Sequence, residues 1–244
     1  MEKNLLVNYM AKKVLFAFIF LMSPLCYAAI ETTGSYSITS NVSAENSKKY
    51  YFSHKFQFNL KPEGSKHSFE LRDENYLEAS FHGSDPNEVI VENKAETQLN
   101  YNYAINENLS WFVGGLHHSN YTIRDTYGWY LTGLSASVSP LDLTSITASL
   151  TANQRAQGGR IFYDASFGVE NTIHPMFTLF ASFHRYENFG ETDISPSKKL
   201  EYELGVNHRP SGRFSFGLSY FKHTQDDDSL DTFSAYRLRS TYLF

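Results

Sequence analysis

Apolar and polar residues alternate along most of this chain, and that period of two limits the folds open to it more than any other feature. Successive side chains of a β-strand point to opposite faces, so alternation predicts strands with one apolar and one polar face. The clearest run covers residues 91–105, where Ala95, Leu99 and Tyr101 share the mostly apolar parity and Glu96 belongs to the wholly polar one. The pattern recurs over residues 50–60, 161–169, 200–206 and 213–220. We therefore predict an all-β fold of two-faced strands.

The breaks between these runs are of two kinds. Short signals rich in Pro, Gly, Asn and Asp, which close tight hairpins, lie at residues 61–64, 106–108, 139–142, 174–175 and 209–212. Longer polar stretches lie at residues 44–49, 81–88, 119–128, 153–159, 188–198 and 223–229. Five turns and six loops imply twelve strands; ten is the alternative, because strand bounds shift by about 2–4 residues. This arrangement predicts a transmembrane antiparallel up-and-down β-barrel.

The N-terminus has the three parts of a secretory signal. Two lysines at residues 12–13 precede an apolar run at residues 14–25, and small or neutral residues follow as far as Ala28. Met10 stands directly before this compact signal and is an alternative initiator. Twelve apolar residues are too few for a helix that crosses a bilayer. We predict a signal peptide over residues 1–28 and an outer-membrane barrel over residues 29–244.

The last strand carries the most specific signal in the sequence. Tyr236, Leu238, Tyr242 and the terminal Phe244 share one parity, with Ser240 between them. This ending resembles the C-terminal signal of bacterial outer-membrane proteins. The resemblance implies recognition by the barrel assembly machinery and a final location in the outer membrane. The expected surroundings are then outer-membrane lipid and lipopolysaccharide.

Composition and the remaining motifs exclude several classes of function. The net charge of -5 argues against a nucleic-acid partner. The sequence has no zinc-ligand spacing and no phosphate-binding glycine motif, so we expect no cofactor and no metal centre. An acidic run at residues 226–228 has the oxygen ligands that a divalent cation takes, but a solvated loop is the simpler interpretation. Aromatic residues form 16% of the chain, which suits the interfacial girdles of a barrel.

The polar parity of the strands carries many charges, and these belong in the lumen, since Arg or Lys on a lipid face costs about 2–4 kcal/mol at the midplane. A barrel of twelve strands is wider than the eight-strand size that side chains can fill. We therefore predict a porin-like channel for small hydrophilic solutes, and no enzyme. The alternative is a non-conducting structural, adhesion or envelope-assembly barrel whose charges pair across the lumen; an export barrel for surface polysaccharide also stays open. The predicted lumen residues are Lys55, Glu70, Arg72, Glu92, Lys94, Glu96, Arg155, Asp164, Glu201, Glu203, Arg237 and Arg239, together with Glu74, Glu170 and Lys199.

The chain resembles a family of small monomeric porins for acidic oligosaccharides, the oligogalacturonate and sialic-acid channels. Its length, short turns, the stretch at residues 100–105 and the ending at residues 236–239 carry the resemblance. Membership would imply a twelve-strand pore with opposed tracks of basic residues. This sequence departs from that pattern, because its predicted lumen has eight acids and seven bases. Only Arg237 and Arg239, with Arg155 and Lys199, would form a basic stripe.

A second resemblance concerns residues 116–120, which contain His117 and Ser119 at the outer end of the fifth predicted strand. They are similar to the His-x-Ser-Asn element of outer-membrane phospholipase A and lipid A deacylase. In such a site His is the general base that activates Ser, and a third polar residue orients the His. The families place that residue about a dozen positions after the Ser, where this chain has Leu131. A lipid hydrolase using His117 and Ser119 is therefore the second alternative function.

Overall fold

The structure is a computed structural model, and it describes residues 30–43, 49–81, 89–156, 158–159, 161–187, 198–225 and 233–244. These residues form twelve β-strands. The strands are β1 (Ile30–Ser43), β2 (Lys49–Pro62), β3 (His67–Phe81), β4 (Val89–Ala104), β5 (Leu109–Asn120), β6 (Asp125–Leu141), β7 (Thr144–Arg155), β8 (Ile161–His174), β9 (Phe177–Glu187), β10 (Lys198–Ser211), β11 (Phe214–Gln225) and β12 (Phe233–Leu243). The prediction of twelve strands is confirmed, and the alternative of ten is wrong.

Every strand pairs with its neighbours in sequence, and β1 also pairs antiparallel with β12, so the sheet closes into a barrel. Closure satisfies the backbone hydrogen-bonding groups of the first and last strands, which a bilayer could not do. The closing pair runs from Ser35 opposite Leu243 to Ser43 opposite Ala235. Within the described residues, no helix is both long and apolar enough to cross a membrane.

The connections differ between the two ends of the barrel. At one end, where β1 begins and β12 ends, the strands are joined across residues 63–66, 105–108, 142–143, 175–176 and 212–213. At the other end the connections cover residues 44–48, 82–88, 121–124, 156–160, 188–197 and 226–232. The predicted loop over residues 119–128 is wrong, because β5 and β6 continue into it and leave a turn at Tyr121–Arg124 with a left-handed Arg124. The predicted signal peptide and the acidic run at residues 226–228 lie outside the described residues.

Alternation along each strand gives the barrel an apolar outer wall and a polar lumen. On β10 and β11, Leu204, Phe216 and Leu218 are exposed on the outer wall, with Leu204 at 66%. On β2, Phe56 is exposed on the outer wall, whereas Lys55 and Gln57, the residues on either side of it, point inward and line an internal cavity. In water such an outer wall would be unfavourable, whereas lipid solvates it. The pattern that predicted strands therefore also decides which side chains reach the lumen.

Four inward glycines make room for a side chain from the neighbouring strand. A Cβ on Gly133 would lie 2.7 Å from the ring of Phe112, and one on Gly205 would lie 2.7 Å from the ring of Phe180. The side chains of Asn100 and Asn207 lie in the same way over Gly114 and Gly217. These four side chains therefore lie along the wall rather than across the lumen.

Candidate functional site: the charged lumen

The lumen contains two neighbouring cavities of about 560 and 610 Å³, and Arg72 on β3 lines both. The first cavity lies against β1–β3 and β10–β12, the second against β3–β9. Hydroxyl and amide side chains form much of both walls, including Ser37 and Gln57 in the first cavity and Asn100 and Asn153 in the second. Such walls exchange hydrogen bonds with water and with polar solutes, as a hydrophilic passage requires.

The first cavity has four basic residues in its wall: Lys55, Arg72, Arg237 and Arg239. Arg72 forms an ion pair with Glu74 at 3.2 Å, and Arg239 approaches Glu203 at 3.8 Å while remaining 40% exposed. Lys55 has neither a hydrogen bond nor an ion pair within the described part of the chain. Positive charge in this cavity is therefore only partly compensated.

Arg237 is the most strongly held of these bases. Its guanidinium donates to Glu203 at 2.6 Å and to Asn41 at 3.0 Å, and it lies 4.1 Å from the ring centroid of Phe221. Glu203 also accepts a hydrogen bond from Ser219 at 2.5 Å. A charge-assisted pair held by further hydrogen bonds is rigid. Arg237 and Glu203 therefore form a fixed part of the wall, which also borders a third cavity of about 250 Å³.

The predicted lumen residues of β4 are held in two groups. Lys94 forms ion pairs with Glu92 at 2.5 Å and with Glu78 at 2.8 Å. Glu96 accepts from Tyr76 at 3.3 Å and contacts Nδ1 of His118 at 3.1 Å. Glu96 lines the second cavity, whereas Lys94 and Glu92 do not.

The second cavity is acidic and partly aromatic. Its carboxylates are Glu70, which accepts from Gln57 at 2.9 Å, Glu96, and Asp164, which accepts from Asn153 at 2.6 Å. Arg72 is the one Arg or Lys in its wall among the described residues. The first cavity also has three carboxylates in its wall, Glu74, Glu78 and Glu201, so among the described residues the two cavities differ in their bases, with four Arg or Lys in the first and one in the second.

An aromatic cluster inside the barrel was not predicted from the sequence. Trp129 is 5% exposed and Phe162 is 1% exposed, and their rings meet edge to face at 6.0 Å. Tyr127 stacks on His118 at 4.5 Å, and the guanidinium of Arg155 lies 5.3 Å from the Trp129 ring. The parity of Trp129 and Phe162 within their strands indicates that both rings point inward. They were not predicted as lumen residues, because the aromatic residues were expected to face lipid. The cluster narrows the lumen on the side of β6–β8.

Glu201 lies between two histidines on adjacent strands. Its carboxylate contacts Nδ1 of His223 at 3.0 Å and Nδ1 of His184 at 3.9 Å, and it lines the first cavity. Among the described residues, no cluster of three or more His, Cys, Asp or Glu side chains has the arrangement of a metal site. These side chains form a polar part of the wall.

His117 and Ser119 lie on the outer face of β5, with 3.1 Å between the histidine Nε2 and the serine Oγ. Their parity is that of the exposed Trp111 and Val113. Opposite them, β6 has Gly128 and Thr126, and Leu131 lines the second cavity on the inner face. Ser119 is the one hydrogen-bond partner of His117 within the described residues. The pair therefore has the spacing of base and nucleophile, but no orienting acceptor accompanies it.

The residues predicted as the assembly signal lie on the outer wall of β12 and at the chain end. Tyr236 and Leu238 are 52% and 53% exposed, and Tyr242 and Phe244 are exposed as well. Phe244 stacks on Phe56 with ring centroids 5.8 Å apart. The terminal strand therefore presents a row of apolar side chains to lipid.

A closed barrel of twelve strands, with an apolar outer wall and a charged, cavity-containing lumen, defines an outer-membrane β-barrel protein. The chain belongs to that class, and its location is the outer membrane. Among solved structures it is similar to the small porins of the KdgM and NanC type at low sequence identity.

The NanC porin aligns with a TM-score of 0.59 at 11% identity, over 85% of this chain and 98% of its own. A structure described as KdgM porin in complex with disordered oligogalacturonate aligns with a TM-score of 0.51 at 13% identity, over 87% of this chain and 99% of its own. LpxR from Salmonella typhimurium aligns with a TM-score of 0.58 at 13% identity, over 87% and 100% of the two chains. Neither a protein-family model nor a curated protein matches the sequence. Identities this low establish a shared fold.

Proposed function

We propose that this protein is a porin-like channel that admits small hydrophilic solutes across the outer membrane. The observation that carries the proposal is the pair of polar lumen cavities, of about 560 and 610 Å³, that meet at Arg72. Side chains that lie along the wall, such as Phe112 over Gly133, favour an open centre. The likeness of the fold to the KdgM and NanC porins supports the same function.

The distribution of charge supports a passage that sorts solutes by charge. Lys55, Arg72 and Arg239 come together in the first cavity, where the ammonium of Lys55 forms no ion pair with a described side chain, although Glu74 lies opposite it on β3. An anionic group of a solute would be attracted there. Glu70, Glu96 and Asp164 line the second cavity and would oppose the same group. We infer that the bases give the channel a moderate preference for anions, and that the acids limit that preference.

The solute class follows only partly from these charges. Acidic sugars, one of which is named with the solved KdgM porin, have both the carboxylates and the hydroxyl groups that the first cavity would bind. Small organic anions share that chemistry. We propose the broader class, which is small polar solutes with at least one anionic group.

Other proposed contacts concern the wall rather than the lumen. Tyr236, Leu238, Tyr242 and Phe244 would present the last strand to the barrel assembly machinery. The apolar outer wall would then be solvated by outer-membrane lipid and lipopolysaccharide.

Planar-bilayer recordings of the purified protein test the channel. We expect discrete conductance steps, and a reversal potential in a salt gradient that reports a moderate anion preference. A protein that inserts as a folded barrel and gives no conductance above background would contradict the channel and favour the non-conducting barrel.

A further inference from the structure

The inner face of β5 and β6 has a stripe of apolar side chains in a lumen whose walls are mostly polar. We call it the apolar stripe, and its members, all of which line the second cavity, are Phe112, Leu116, Tyr127, Trp129 and Leu131. The other described residues in the wall of this cavity have polar or charged side chains. Leu116 is paired with Trp129, and Phe112 lies two inward positions nearer the turn. The stripe therefore runs along the hairpin from the turn end of the lumen toward the loop end.

The apolar stripe has a covered layer and a layer that faces the cavity. Trp129 and Leu131 are 5% and 8% exposed and pack with Phe162. Leu116 and Tyr127 pack against this cluster and remain partly exposed. Packing explains the covered layer. It leaves unexplained the apolar surface that the second layer turns toward the cavity, where contact with water is unfavourable.

Phe112 adds a flat aromatic surface to the stripe. A Cβ on Gly133 would lie 2.7 Å from its ring, so the ring lies against the backbone of β6. The glycine covers one face of the ring, and the partly exposed side chain borders the cavity with the other. Aromatic rings stack on such a face with about 4.5–7 Å between centroids. The stripe thus has the features of a small-molecule site, which is concave, apolar and largely preformed.

One positive charge lies within reach of the stripe. Arg72 is the one Arg or Lys that lines the second cavity among the described residues, and its side chain is 35% exposed beside Glu74. Arg72 is paired with Gln98 on β4, and Gln98 is paired with Leu116 on β5. Two strand spacings therefore separate Arg72 from Leu116, which is about 10 Å along the wall. The arginine side chain covers part of that distance, so the remaining gap suits an anionic group attached to one ring.

We propose that the second cavity binds a small aromatic carboxylate, with its ring on Phe112 and Leu116 and its carboxylate on Arg72. This inference rests on the proposed channel, which would bring such an anion into the lumen, and it narrows the class of solute. Glu70 and Glu96 in the same wall disfavour a second anionic group beside the ring. A sugar acid fits less well, because its hydroxyl groups would lose hydrogen bonds to water against the stripe.

Calorimetric titration of the folded barrel in detergent tests the site, with benzoate as the probe. Galacturonate is the matched probe, because it has the same charge on a ring that carries hydroxyl groups. The wild type should bind benzoate about tenfold more tightly than galacturonate, since the benzoate ring buries apolar surface on the stripe. Equal affinity for the two anions, or no binding of benzoate, would overturn the proposal.

A matched pair of variants locates the binding. Phe112→Ser should weaken the binding of benzoate about tenfold and leave that of galacturonate unchanged. Phe180→Ser is the control, because Phe180 lies over Gly205 as Phe112 lies over Gly133 but is outside the wall of the second cavity. This control should bind benzoate as the wild type does. Equal losses in the two variants, or no loss in Phe112→Ser, would overturn the proposal.

A second substitution separates the site from a fault in folding. Leu116→Asn keeps nearly the same side-chain size and should also weaken the binding of benzoate while the barrel stays folded on unheated gels. If Phe112→Ser does not fold, unchanged benzoate binding by Leu116→Asn would overturn the proposal. The titration needs no current, so the site and the channel can fail separately. A barrel that binds benzoate without conducting would contradict the channel alone, and one that conducts but does not prefer benzoate would contradict the site alone.

Discussion

The ring of the terminal Phe244 lies directly over Gly34 on β1, in the space that a Cβ at this position would occupy. The two residues also exchange backbone hydrogen bonds, with 3.0 Å from each amide nitrogen to the other residue's carbonyl oxygen. Gly34 therefore gives the last residue of the chain a place to dock where the barrel closes. The docked ring continues onto Phe56 of β2.

Gly34→Val should displace that ring and weaken closure. Overpacking of a filled site costs about 1–3 kcal/mol, so the free energy of unfolding should fall by an amount in that range. Heat-modifiable mobility on gels, which separates folded from unfolded barrels, measures the change. Glu107→Val, at an exposed position of the turn between β4 and β5, is the control. Unchanged stability of Gly34→Val would show that the Phe244 ring has other places to pack.

Lys55→Met should reduce the preference for anions. The ammonium lines the first cavity and forms no ion pair with a described side chain, so its loss removes positive charge from the passage and breaks no ion pair. The reversal potential in a salt gradient should move toward that of a cation-selective channel, with the barrel still folded. Lys222→Met, exposed on the outer wall of β11, should leave the reversal potential unchanged. Equal effects of the two variants would rule out a role for the first cavity in selectivity.

Arg237→Met should be destabilising, because Glu203 is left in a mostly buried position without its closest partner. Removing one member of a buried ion pair costs about 3–5 kcal/mol. Equilibrium unfolding in urea measures the loss. The double variant Arg237→Met with Glu203→Gln should recover part of it, since no unpaired charge then remains. A double variant as unstable as the single one would show that the arginine acts through Phe221 and Asn41 instead.

Ser119→Ala should leave lipid hydrolysis at the background level of the wild type. The pair of His117 and Ser119 has no orienting acceptor in the part of the wall that the structure describes. Release of fatty acid from phospholipid and from lipid A by the purified protein is the measurement. Hydrolysis by the wild type that Ser119→Ala abolishes would establish the enzyme and displace the channel as the main activity.

The alternation of Ala95, Leu99 and Tyr101 against Glu96 sufficed to predict strands and the wall that each residue faces, and the turns and loops between such runs predicted the number of strands. These are local properties, because a strand displays its two faces whatever it pairs with. The Pro, Gly, Asn and Asp residues of the short turns are also a local signal, and they predicted which connections lie at one end of the barrel. The loop predicted over residues 119–128 was wrong because polar residues there continue two paired strands, and pairing is not a local property.

Neighbour relations across the lumen required the closed barrel. In sequence, Lys55 and Arg239 are far apart, and the alternating pattern gave no reason to group them. Closure of β1 on β12 brings them to one cavity. Lys55 and Arg72 join Arg237 and Arg239 there, whereas Arg155 and Lys199 of the predicted basic stripe do not line this cavity. Trp129 and Phe162 likewise became an internal cluster only through the pairing of β6, β7 and β8.

The sequence by itself thus determined the class of fold, the outer-membrane location and the two faces of every strand, because each depends on a repeat that neighbouring residues share. Only the tertiary structure decided which charges meet and that four bases gather in one of the two cavities. Those facts depend on strand register and closure, which join residues that no local pattern connects.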